Sequence, residues 1–551
     1  MKVQILRKPD FGAADLPVGT VIDLPPLMAK DLVGTGEAVE APRSTATKAL
    51  LVGDPSMVSG AGKGLRTVIL GDSLAGFNNL SVNISSIVLA DGVLTVTTAT
   101  VHNMRDGQTC NISGTSNNSF HGRLLPITYV SAVVFTCPAP PGAAGTATGG
   151  VVLCQNVLNG VGTWVQTNAR LGASMRFVAN LGVGGQRTDE ILARVNEAWA
   201  LNPDILWFIG GTNDNIQDRA YLATVADIES VVKQATDRGV MVVIQTLPPF
   251  ASGGPYYTAA RNANLLNINS FIRRLATRYR NVYVLDAYAA LIQPADVNGY
   301  GASAYYQTAP ADSVHWNARG ASRIGKKGAA LLGSVIPMID NHVTSATDNY
   351  GANSGNRDLF DYAPWTNSGS TPTAPATGTL PTGWAMDAPT GTWTVPPAVS
   401  CVARSDGLGY DIVVTGTPGG AGCAFTIRTS AASQNARLPL FVGKKYRWLA
   451  EVTAVNALSS GIRQLSALAN MAVGSASGTI ASAFSPPNQL GSLAYDTDES
   501  VTLMLPTPEF VIPTGAVANS GFGVTCVMDA LSATAVTVKV GSVRTQPMDD
   551  Q

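Results

Sequence analysis

The sequence predicts an α/β core, a doubly wound parallel sheet, set among β-rich modules. Three observations carry that expectation. The first is an apolar run that ends in a polar or Pro-rich turn, three times over: Thr67-Val68-Ile69-Leu70 before Gly71-Asp72-Ser73, Ile205 to Ile209 before Gly211 to Asp214, and Val240 to Thr246 before Leu247-Pro248-Pro249. Short apolar runs closed by turn residues are strands buried on both faces. The second is helical spacing between these runs. Ile191, Leu192, Val195 and Trp199 share one helical face, and Ile228, Val231, Val232 and Ala235 share another. The third is the remainder of the chain, where 56 Gly, 32 Pro and much Ala, Thr and Ser favour short strands and turns over long helices.

Taken in order, residues 1–45 form a small module, with strands at Val3 to Leu6 and Thr20 to Leu24 and a helix around Leu27 to Gly34 after Pro25-Pro26. Residues 46–64 turn to Pro, Ser, Thr and Gly and are read as a linker. The α/β core occupies 65–85 and 155–343, closing with a strand at Asn281 to Asp286 and a helix capped by Asn317 that runs to about Ile339. Between its two parts, 86–154 alternates apolar and polar residues, as in Leu94-Thr95-Val96-Thr97, and is expected to be an inserted, barrel-like β-module. Residues 344–382 are a second linker, and 383–551 carry strand after short strand, as a C-terminal antiparallel β-sandwich would. Trp384, Trp393 and Trp448 in that module either stack on sugar rings or fill its core, and the core is favoured.

At 551 residues the chain is long enough for three or four domains. Charged residues make up 13% of it and the net charge is -1, so the basic stripe that nucleic acid or an anionic membrane requires is missing. The first residues lack the apolar stretch of a signal peptide, and none is expected. Six cysteines are scattered without a CxxC pair and are read as buried free thiols rather than metal ligands or a disulfide framework. No metal or cofactor is expected.

Four short patches carry chemistry: Gly71-Asp72-Ser73-Leu74, Asn180 to Gly185, Gly211-Thr212-Asn213-Asp214, and Asp312-Ser313-Val314-His315. A nucleophile needs a base, the base an orienting carboxylate, and a developing oxyanion needs donors already in place. Ser73, His315, Asp312 and the Gly185/Asn213 pair fill those posts. The three-residue spacing lets Asp312 accept the Nδ1–H hydrogen bond of His315 while Nε2 faces outward. His102, His121 and His342 have no comparable partner and are read as structural or solvated.

In these blocks the chain resembles the SGNH (GDSL) hydrolase family, with Ser in GDS, Gly in NxGxxG, Asn in GxND and a DxxH pair. The resemblance implies a serine esterase in which the Gly185 N–H, the Asn213 side-chain amide and the Ser73 N–H bind the oxyanion. Asp72, Asn180 and Asp214 hold the loops as supporting residues. About 100 residues separate the first two blocks, many more than a minimal member needs, which is the insertion. Residues 1–45 and 86–154 are similar to modules of bacteriophage structural proteins, and the C-terminal segment to jelly-roll carbohydrate-binding modules. Together these imply a virion-borne esterase that deacetylates O-acetylated bacterial surface polysaccharide and attaches to other virion proteins through its N-terminal module. Two rivals stand beside it: a glycan-binding attachment protein with little turnover, and a bacterial extracellular lipid or aryl esterase. Oligomeric state is left open.

Overall fold

The computed structural model describes three short strands of the front segment, residues 64–336 and residues 369–548, with short breaks of which the longest are 155–160, 430–441 and 483–499. The front strands Lys2–Ile5, Val21–Asp23 and Ala38–Glu40 form an antiparallel sheet with Lys2–Ile5 at its centre. The third was not expected from the sequence. The expected helix around Leu27 to Gly34 lies outside the described residues.

Five parallel strands make the core sheet: β1 (Leu65–Gly71), β2 (Met175–Gly182), β3 (Ile205–Ile209), β4 (Met241–Gln245) and β5 (Val282–Leu285). Their order is β2-β1-β3-β4-β5, so the chain reverses its direction of travel across the sheet after β2. Parallel crossovers are right-handed as a rule, so a reversal of this kind places helices on both faces of a sheet. Val68, Leu70, Leu206, Trp207, Phe208, Val242 and Ile244 are fully buried. Each such aliphatic side chain contributes roughly 1.5–3 kcal/mol relative to leaving it in water. The helix over Tyr221–Asp237 turns Ile228, Val231, Val232 and Ala235 inward, as the spacing predicts.

The inserted module starts earlier than Ser86, with strand Leu80–Ala90, and forms a seven-stranded antiparallel sheet ending at Val151–Cys154. Residues from both ends of that sheet, Leu125 and Ile112 from one and Phe135 and Val96 from the other, share one core, so the sheet folds over on itself. His102 is fully buried there and accepts the Met104 N–H at Nδ1 (3.0 Å), while His121 Nε2 accepts from Thr115 N (3.1 Å). His342 lies outside the described residues.

Behind the core, two further sheets face each other, with Trp448 from one stacked on Phe522 from the other at 6.0 Å. They are antiparallel apart from the two-residue strand Thr377–Gly378. The polar run expected to continue to Thr382 joins this module by Ser370, which pairs with Leu380, because Ala376 and Leu380 give it apolar anchors. Trp384 and Trp448 are buried and Trp393 packs partly buried against the core, its indole donating to the Thr390 carbonyl. The core reading holds for Trp384 and Trp448, while Trp393 lies at the margin of the core. Cys110, Cys137, Cys423 and Cys526 are buried free thiols and Cys401 is half-buried.

The C-terminal module docks on the amino-terminal end of β2. Arg447 is buried and donates to the carbonyls of Met175 (2.7 Å) and Ala173 (2.9 Å) and to Gln546 Oε1 (2.6 Å). Burial pulls its guanidinium down to about 9. Arg176 pairs with Glu509, Arg170 with Glu451, and Ala173 packs on Leu449 and Met504.

Candidate active site

The reversal of strand order leaves a crevice beyond the carboxyl ends of β1 and β3, where open α/β sheets bind ligands. Both strands end there in close contact. Asp72 N donates to the Ile209 carbonyl (3.1 Å), and a Cβ on Gly71 would lie 2.1 Å from that oxygen, so only glycine fits. The short helix α1 (Ser73–Gly76) follows β1 at once and begins with the serine.

Ser73 Oγ lies 2.9 Å from His315 Nε2, and His315 Nδ1 lies 2.9 Å from Asp312 Oδ2. The structure thus brings together three side chains that the sequence separates by 242 and 3 positions. The spacing of Asp312 and His315 suits a loop before the last helix, but the structure has no loop there. They lie on a short strand, Asp312–Trp316, paired antiparallel with Tyr306–Thr308. Within it Asp312 Oδ1 accepts the Val314 and His315 N–H groups, each at 3.0 Å. Burial raises the affinity of the Asp312 carboxyl for a proton, but His315 and these N–H donors outweigh it and hold the group below the ordinary carboxylate range. Asn317 then caps the final helix, Ala318–Gly333, by accepting from Gly320 N (3.0 Å); that helix ends before the expected Ile339.

The second patch lies across from the serine. A Cβ on Gly184 would be 3.9 Å from Ser73 Cβ, and Gly185 takes φ +80°, with no atom within 4 Å of where its Cβ would stand. Asn213 belongs to the helix Thr212–Ile216 that follows β3, and its Nδ2 donates to the Gln186 carbonyl (3.0 Å). That bond uses one of the two amide hydrogens and fixes the direction of the other.

The supporting residues each tie two segments. Asn180 donates to the Ala75 carbonyl (2.8 Å) and accepts from Gly182 N (3.0 Å), locking α1 to the end of β2. Asp214 is fully buried and accepts from Thr188 N (2.8 Å), Thr188 Oγ1 (2.7 Å) and Arg219 (2.9 Å). Asp72 Oδ1 accepts from Leu74 N (2.9 Å), while Oδ2 is buried without a hydrogen-bonding partner among the described residues. Burial drives this carboxyl up to about 7.

Sequence reasoning missed Arg194. Its guanidinium donates to the Gly71 carbonyl (2.8 Å) and to Gln186 Oε1 (2.7 Å). Burial pulls it down to about 10. The signal was present, since Arg194 stands three residues after buried Ile191 and next to Val195, on a helical stretch whose apolar face was legible. Among the described residues no group of three or more His, Cys, Asp or Glu side chains is arranged to hold a metal ion.

A family model, the GDSL-like lipase/acylhydrolase family, matches residues 144–323. That span is about a third of the chain; it contains Gly185, Asn213, Asp312 and His315 and begins after Ser73. The chain therefore carries a hydrolase domain of the GDSL (SGNH) lipase/acylhydrolase family, an esterase family. Solved structures similar to it include a GDSL-like lipase from Bacteroides thetaiotaomicron (19% identity, 32% of this chain and 82% of that one, TM-score 0.25). Another is a lipolytic protein of the G-D-S-L family from Desulfitobacterium hafniense (12% identity, 49% and 99%, TM-score 0.28). A third is a structure described as a peptidoglycan O-acetylesterase in action (15% identity, 51% and 94%, TM-score 0.32). No curated protein matches the chain.

Proposed function

We propose that the chain is a serine esterase that removes O-acetyl groups from a polysaccharide, with Ser73 as nucleophile. The observation that carries the reaction type is the unbroken Ser73–His315–Asp312 hydrogen-bond chain beside Gly185 and Asn213. Ser73 Oγ attacks the ester carbonyl while His315 Nε2 takes its proton, and Asp312 stabilises the imidazolium that forms. The carbonyl oxygen becomes negative facing the Gly185 N–H, the free Asn213 amide hydrogen and the Ser73 N–H. His315 returns the proton to the departing sugar hydroxyl, and water then repeats the sequence on the acyl-enzyme.

What favours a saccharide is aromatic surface on a loop tied to the strand that carries the base. Ala251 N donates to the Ser313 carbonyl on the Asp312–Trp316 strand (2.9 Å), and the loop that starts there carries Tyr256, 37% exposed, and Tyr257. Tyr257 packs on Tyr300 with ring centroids 4.3 Å apart. Phenol rings that keep one face in water are the usual platform for a sugar ring. The setting proposed is a virion acting at a bacterial surface; it rests on the sequence likeness of the front and inserted segments, and the jelly-roll reading of the C-terminal module rests on likewise.

The test is acetate release from purified O-acetylated bacterial polysaccharide, with p-nitrophenyl acetate in parallel and Ser73→Ala as control. Release from both that vanishes in the variant supports the reading. Hydrolysis of the aryl ester alone discards the polysaccharide, and turnover of neither, with glycan binding retained, favours an attachment protein.

A further inference from the structure

We infer that Arg194 is a positioning residue that holds the nucleophile and the oxyanion donors in register, and that the inserted module sets it through an Arg123–Glu197–Arg194 chain of charges. The inference rests on the esterase reading and concerns how that site is assembled.

Arg194 touches both halves of the site. One acceptor, the Gly71 carbonyl, lies two residues before Ser73. The other, Gln186 Oε1, belongs to the residue after Gly185, and the same residue's carbonyl fixes the Asn213 amide. A single planar guanidinium thus spans the nucleophile turn and both elements of the oxyanion loop, a task its rigid fork suits and a flexible ammonium does not.

The third contact leads outward. Glu197 pairs with Arg194 (3.6 Å) and with Arg123 of the inserted module (2.8 Å). Arg194 is 11% exposed, and Glu197 and Arg123 are 29% and 30% exposed, so the pairs are partly shielded from solvent. Arg123 lies on Gly122–Pro126, the edge strand of the seven-stranded sheet, and its neighbour Leu124 packs against the hydrolase core. The edge of the module is therefore docked on the helical segment that holds the catalytic loops. One carboxylate is shared by two guanidiniums, so Arg123 fixes where Glu197 sits and Glu197 in turn fixes Arg194.

Steady-state kinetics on the full chain with p-nitrophenyl acetate test this, with active sites titrated by a fluorophosphonate and melting temperature followed alongside. Arg194→Lys is expected to lower kcat per titrated site by about 10- to 100-fold with KM within about twofold, the penalty of a misplacement on the order of 1 Å. Arg123→Ala, remote from the site, is expected to lower kcat about 3- to 10-fold, and Arg123→Lys to recover most of it. Arg194→Lys with unchanged kcat overturns the positioning role. Arg123→Ala with unchanged kcat overturns the link to the module, as does a loss confined to melting temperature. A wild-type chain without turnover or labelling fails the esterase reading itself and removes the ground for this one.

Discussion

Asp214 accepts both the backbone N–H and the hydroxyl of Thr188, at 2.8 and 2.7 Å, and so ties the segment after Gly185 to the helix that carries Asn213. Two oxyanion donors from different crossovers are held at a fixed separation by one buried carboxylate, itself paired with Arg219. Asp214→Ala leaves the buried Thr188 N–H without its acceptor and leaves the Thr188 hydroxyl and Arg219 with Asp227 as their one carboxylate. Destabilisation of about 3 kcal/mol is expected in urea unfolding, together with a fall in kcat larger than that in substrate affinity.

Asp72 predicts a pH dependence of stability. Its carboxyl moves from an ordinary 3.8 to about 7 in the folded chain, chiefly through burial. The folded state therefore holds a proton that the unfolded chain releases, and stability is fully present below about pH 4 and lost as pH rises toward 7. Three units correspond to roughly 4 kcal/mol. Asp72→Asn keeps an acceptor for Leu74 N and removes the ionisation, so its melting temperature is expected to exceed that of the parent at pH 9 and to converge with it near pH 4. A constant difference across that range would show that Asp72 does not titrate on unfolding.

Removal of the Asn213 amide tests the oxyanion assignment. Asn213→Ala is expected to lower kcat by about 10²- to 10³-fold, as loss of one such donor does, with little change in KM. An unchanged kcat with a large rise in KM would assign Asn213 to ground-state binding.

Gly185→Ala meets no steric obstacle, because nothing lies within 4 Å of the added methyl, but φ +80° is strained for any residue with a Cβ. A stability cost of about 1 kcal/mol with a larger fall in kcat is expected, since relaxing φ turns the N–H away from the oxyanion. Thermal melts and kinetics on the same preparation check both.

At the far side, Arg447→Ala removes the guanidinium that donates to the Met175 and Ala173 carbonyls across the contact. The C-terminal module is expected to melt separately from the hydrolase in calorimetry, with activity on an aryl ester retained. A single transition with lost activity would mean that the two are one cooperative unit.

Four of the five parallel strands were legible as apolar runs ended by a turn, and Ser73 and Asn213 because each follows such a run; β2, interrupted by Arg176 and Asn180, was not. Arg194 was not legible either. Its role depends on which loops lie side by side, and that follows from the β2-β1-β3 order, which no local pattern encodes. The Asp312–His315 strand was missed for the same reason: its pairing partner, Tyr306–Thr308, has no alternation of its own. Trp384, Trp393 and Trp448 were ambiguous because a tryptophan in a strand reads alike whether its face is inward or outward.

The docking of the C-terminal module on residues 173–176 has a geometric consequence. β2 runs from Met175 to Gly182 beside β1, which ends where Ser73 begins, so anchor and nucleophile stand at opposite ends of strands seven to eight residues long. At roughly 3.3 Å per residue that is about 25 Å of sheet. The crevice therefore opens at the end of the sheet away from the C-terminal module, so that module forms no wall of it at the nucleophile's end.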